Sequence, residues 1–137
     1  MNWWMMIAGM LSLVTAAVHV FLGGPEVNAP VQSSESLARD VRATTAVVWH
    51  GITAILLLSG AAKVYAACSG RIRSAVVLIA AQYVALVALF AWYSLSQFGS
   101  LWVLPQWTLF TVILGFVGLG LKYPARHRGH GTSQIAS

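Results

Sequence analysis

Four apolar stretches, roughly residues 3–22, 44–62, 74–97 and 105–122, make up most of this chain, and the charged residues between them are sorted by side. Each stretch is long enough to cross the ~30 Å hydrocarbon core of a bilayer as a helix rising ~1.5 Å per residue. A composition of 58% hydrophobic and 8% charged residues excludes an ordinary water-soluble domain. The expected fold is all-α: an integral membrane four-helix bundle forming one domain over residues 1–124, followed by a basic tail at 125–137 that is too polar to pack.

Lys63, Arg71, Arg73, Lys122, Arg126 and Arg128 flank the stretches on one side. Arg39 and Arg42 lie on the other, with all three acids (Glu26, Glu35 and Asp40) in the connector at 23–43. By the positive-inside rule both termini are expected in the cytoplasm and the acidic connector across the membrane, in a cell's inner (plasma) membrane. The net charge of +5 collects at the ends of apolar runs, so it predicts contact with lipid headgroups and no nucleic-acid partner.

Local signals set the expected boundaries. The first stretch has no basic region before it and no small-residue cleavage site, so it reads as an uncleaved span. Gly23-Gly24-Pro25 should end that span. Ser33, Ser34 and Ser36 offer caps, and Glu35 and Arg39 would form an i,i+4 pair opening the second helix. Lys63 is expected to snorkel to the headgroups beside Tyr65, ahead of a basic turn over residues 68–73. Pro105 should sit in the first turn of the fourth helix, and Trp3, Trp4, Trp102 and Trp107 suit the interfaces.

Helices in lipid associate through close packing of small residues and a few interhelical hydrogen bonds. Ala81, Ala85 and Ala88 in the third stretch, Gly115 and Gly118 in the fourth, and Ser12 and Ala16 in the first are the candidates. Gln82, at mid-membrane, is expected to act as a structural clasp contributing about 0.6 kcal/mol, with its neighbour Tyr83 turned elsewhere. Trp49-x3-Thr53-x-Ile55-Leu56-x3-Gly60 also aligns without gaps on Trp107-x3-Thr111-x-Ile113-Leu114-x3-Gly118. The match reads either as a duplicated hairpin or as coincidence in apolar sequence.

The chemically distinctive layer lies near the connector. His19 and His50 fall within the first two spans on that side, with Thr15 and Thr53 close by and Tyr93 and Gln106 at similar depth on the other two helices. The plainer reading is neutral, hydrogen-bonded imidazoles and no cofactor. The sharper one is a site for copper, zinc or iron on His19, His50 and Glu26, or a b-type haem held between the two histidines, with a quinone pocket as a variant. His127 and His130 lie in the basic tail beside Arg126 and Arg128, a positive flank suited to anionic lipid. Cys68 stands alone, which rules out an intrachain disulfide and cysteine-based metal centres, and it is expected to be buried or interfacial.

No nucleophile elbow, zinc-protease signature, phosphate loop or dinucleotide fingerprint is present. The plan resembles that of small drug-efflux proteins, but the membrane carboxylate of their first helix has no counterpart here. The expected function is therefore a non-catalytic accessory, assembly or scaffold component of a membrane complex, with the bilayer, a second copy or a larger complex as partner. The alternative is a metal- or haem-binding protein of redox or quinone-linked character using His19 and His50.

Overall fold

The computed structural model describes residues 1–71 and 73–123. The expectations for the tail, including His127 and His130, lie outside them. The described chain is all-helical, 85% helix with no strand among the described residues. Its helices are α1 (Trp3–Phe21), a π-helical turn (Gly24–Asn28), α2 (Ala29–Ser33), α3 (Arg39–Ser69), α4 (Arg73–Phe98) and α5 (Gln106–Lys122). Three helical rods, Trp3–Ser33, Arg39–Ser69 and Arg73–Phe98, are long and apolar enough to cross a membrane, with mean hydropathies of 2.1, 1.6 and 2.3. They mark a membrane protein; α5 is a shorter apolar helix.

Helix α1 occupies the centre. Its most extensive packing is against the antiparallel α3, and it also packs on α5; α4 lies chiefly on α5 and touches α3 only slightly. Two glycines let α1 and α3 approach. A Cβ on Gly9 would stand 2.7 Å from Val64 Cγ2 and 2.9 Å from the Val64 backbone nitrogen, and one on Gly60 would stand 2.7 Å from Leu13 Cδ2. Gly120 does the same for α5, where a Cβ would meet Met5 Cε at 2.9 Å. The outward faces are aliphatic, with Leu58 and Leu78 more than two-thirds exposed, as suits a surface solvated by lipid.

Several expected boundaries are corrected. Helix α1 ends at Phe21 with Leu22 as its cap, close to the expected limit, but Gly23 takes no left-handed cap (φ −66°, ψ −30°) and the helical rod continues through a π turn to Ser33. Proline supplies no N–H, and a π turn, in which the Ala29 N–H donates to Gly24 O, absorbs the lost register. Gly23 instead makes room, since a Cβ there would lie 3.0 Å from Trp49 Cη2. Glu35 stands in the turn before α3, so it is not a helical i,i+4 partner of Arg39. Arg42 closes that turn by donating to Ser34 O at 2.7 Å, while Gln32 donates to Arg42 O at 3.1 Å.

Helix α3 also runs past the expected stop, through the exposed Cys68, to a left-handed cap at Gly70 (φ 67°). Pro105 is the residue before α5, its carbonyl accepting from the Thr108 N–H and hydroxyl. The small residues divide unexpectedly. Ser12 and Ala16 are buried as expected, but Ala81, Ala85, Ala88, Gly115 and Gly118 all face outward. The aligned positions are not equivalent in packing either: Gly60 is pressed against α1, whereas Gly118 has nothing within 4 Å of its would-be Cβ.

Candidate functional site

At the connector end, His19 and Trp49 form the principal contact. The two rings stack at 3.9 Å with an interplanar angle of 18°. His19 Nε2 lies 3.3 Å from the Trp49 carbonyl, which also accepts the Thr53 hydroxyl at 3.1 Å. A carbonyl can only accept, so Nε2 carries the proton and Nδ1 is the free nitrogen. Trp49 is therefore wedged between the His19 ring and Gly23, and helical pitch turns the next residue, His50, about 100° away. His50 is exposed, as is Glu26 on the π turn.

The expected ligand layer does not assemble. Among the described residues no three His, Cys, Asp or Glu side chains are grouped to hold a metal ion, so the site of His19, His50 and Glu26 is not formed. No hydrogen bond or ring stack joins His19 to His50 among the described residues. His19 meets Trp49 through its ring face and Nε2, and a haem held between the two histidines is not shown. Thr15 gives its hydroxyl proton to Leu11 O at 2.7 Å. Gln106 is exposed, and Tyr93 lines an open groove of about 290 Å³ with Leu86, Leu89, Phe90 and Leu104. That groove is walled by hydrocarbon.

The most unusual group lies deeper. Lys63 was expected to reach for the headgroups; instead it is 0% exposed, and its Nζ has no hydrogen-bond partner. The direction of the side chain explains this. A helical Cα–Cβ bond leans toward the helix N-terminus, so on α3 it points away from the Ser69 end and into the bundle. There Nζ sits 4.2 Å over the centroid of Tyr83, a cation–π geometry. The Tyr83 hydroxyl meets Ser59 Oγ at 2.7 Å, and Ser59 also donates to Leu56 O at 3.1 Å.

This cluster reverses the expected roles of Gln82 and Tyr83. Gln82 is half-buried and makes no side-chain hydrogen bond among the described residues, whereas Tyr83 is 1% exposed and provides a hydrogen bond between α4 and α3. Tyr83 is held edge-on by Phe110 at 5.3 Å, and Phe110 stacks on Phe90 at 5.9 Å. Chemically, the cluster offers one amine able to bind or release a proton and two hydroxyls already in contact with each other. A sequence signal for it exists: Val64 to Ser69 continue the helix until Gly70, which places Lys63 well inside α3.

In comparison with known proteins, the chain matches no family model, no curated protein and no solved structure.

Proposed function

We propose that this chain is a four-span protein of a cell's inner membrane, with both termini cytoplasmic, that acts as a non-catalytic accessory, assembly or scaffold component. The observation that carries this reading is the outward placement of Ala81, Ala85, Ala88, Gly115 and Gly118 on α4 and α5. Small residues permit close backbone approach between helices in lipid, and here the chain's own helices leave that capacity unused. The apolar groove beside Leu89 and Tyr93 on α4 adds a recess into which a partner's transmembrane helix can fit.

Four crossings are supported by the fourth helix as well as the three longer ones. The 17 residues of α5 correspond to about 26 Å of rise, at the short end of what a bilayer core requires. The excess of lysine and arginine at the end shared by the α3–α4 turn and the end of α5 supports the orientation.

The test is purification in mild detergent with Ala85→Leu and Gly118→Leu variants alongside the parent chain. The parent is expected to travel with a larger membrane assembly, and each leucine to release it while leaving the thermal midpoint of the isolated chain unchanged. A parent that runs as a lone monodisperse monomer would overturn the reading.

A further inference from the structure

Helices α3 and α4 meet along a seam whose polar contacts all lie at one level. Among the described residues the bond between the Tyr83 hydroxyl and Ser59 Oγ, at 2.7 Å, is the hydrogen bond that crosses it. Lys63 Nζ sits beside that bond, 4.2 Å over the Tyr83 ring. Elsewhere α4 has little hold on α3: it lies chiefly on α5, and its buried residues are Val76, Tyr83 and Ser94. Ser94 serves the α4–α5 loop, accepting from Leu104 N at 3.3 Å and donating to Ser100 O. Phe110 of α5 holds the Tyr83 ring edge-on at 5.3 Å. The ring therefore belongs to the α4–α5 side of the seam, and the amine to the α1–α3 side.

How well Lys63 fits this seam depends on its charge. An ammonium has three donors and no lone pair, so it calls for acceptors or water. Nζ has no hydrogen-bond partner, and Ser59 Oγ is already engaged with Leu56 O at 3.1 Å and with Tyr83. Only the ring face is left to a cation. An uncharged amine is buried in the same place at far lower cost. No carboxylate offsets the charge. The buried residues of α1 and α5, and those of α3 other than Lys63 (Leu56, Ser59, Gly60, Ala66 and Ala67), include no titratable side chain, and α4 contributes only the Tyr83 phenol.

We propose that the α3–α4 seam is a proton-operated joint: with Lys63 as the amine α4 is docked on α3 through Tyr83, and protonation of Lys63 parts the two helices at that level. One proton taken from water converts amine to ammonium, and its return to water restores the amine. The aqueous boundary is the Ser69 end of α3, about 9 Å from Lys63 along the helix axis. The ammonium turns toward that boundary, as lysines in membrane helices do, and withdraws Nζ from the ring. Its way out runs between α3 and α4, the weaker of the two contacts that α3 makes with long helices. This inference does not rest on the accessory role.

In a Cys68→Ser chain, Ala61→Cys on α3 and Val84→Cys on α4, both exposed positions, carry nitroxide labels. Their separation is measured by pulsed electron paramagnetic resonance in lipid bilayers, from about pH 5 up to about 10, near the ordinary lysine value. It is expected to lengthen by about 2 Å or more as the pH falls, the scale of helix shifts in switching proteins. In Lys63→Met and Lys63→Leu, which fill the site without a charge, it should keep its high-pH value throughout. A second pair, Met10→Cys on α1 and Leu58→Cys on α3, should hold one distance in every sample and so report that the bundle is folded. A separation that does not respond to pH would overturn the joint. So would a response of the same size in the two uncharged variants.

Discussion

At Lys63 the balance of forces is unusual, because the amine has lost water and gained only the face of Tyr83 in return. Burying a polar group without a hydrogen bond costs about 1–3 kcal/mol by protein mutational measures, whereas methionine fills a similar volume without that cost. Lys63→Met is therefore expected to raise stability by about 1 kcal/mol or more, read as a higher thermal midpoint in detergent. Tyr83→Phe removes only the bond to Ser59, and its expected cost is about 0.6 kcal/mol, the average for such bonds between membrane helices. A larger loss in Lys63→Met than in Tyr83→Phe would mean that the amine has an acceptor after all.

Among helices, the glycines fall into two classes that the same kind of substitution should separate. A side chain at Gly9 would press on the backbone nitrogen of Val64 and on Gly60 O at 3.1 Å, so α1 and α3 would have to part. Gly9→Val should destabilise by about 1–3 kcal/mol, the usual range for overpacking, while Gly115→Ala should be neutral or stabilising because nothing lies near it. Denaturation of the two variants side by side checks this. Gly70→Ala should cost about 1 kcal/mol for its left-handed backbone.

The length and apolarity of the helices were legible in the sequence because they are local properties, and α4 and α5 begin and end within a residue or so of the expected limits. Which face of a helix looks inward was not legible. In lipid both faces are apolar, so the Ala81, Ala85 and Ala88 repeat marks a face without marking its neighbour. The continuation past Gly23 runs through a π turn rather than a left-handed cap, an outcome the usual reading of glycine followed by proline does not supply. Lys63 was misread for a related reason: its fate follows from where α3 ends and from the N-terminal lean of its side chain. The histidines were correctly placed at one end, but stacking of His19 on Trp49 is a contact between chain segments that spacing does not encode.

For the molecule as a whole, orientation is the property with the most direct test. Cys68 is exposed at the same end as Asn2 and Tyr123, and it is the only thiol. If both termini are cytoplasmic, as proposed, a membrane-impermeant maleimide should leave it unlabelled in intact cells and label it in inverted vesicles. In a Cys68→Ser, Ser36→Cys chain the pattern should reverse. Labelling of Cys68 from outside would invert the assignment and place the His19 end in the cytoplasm.

Asn2 ties this end of the molecule together. Its side-chain oxygen caps α1 by accepting from Met5 N at 3.2 Å, its backbone N–H donates to Ala67 O at 2.8 Å, and its amide nitrogen donates to Gly120 O at 2.7 Å. Its Gly120 acceptor lies on α5, so this bond forms only once α5 has joined α1. The clasp between α1 and α5 should accordingly close after α1 has packed on α3, as a late step of assembly.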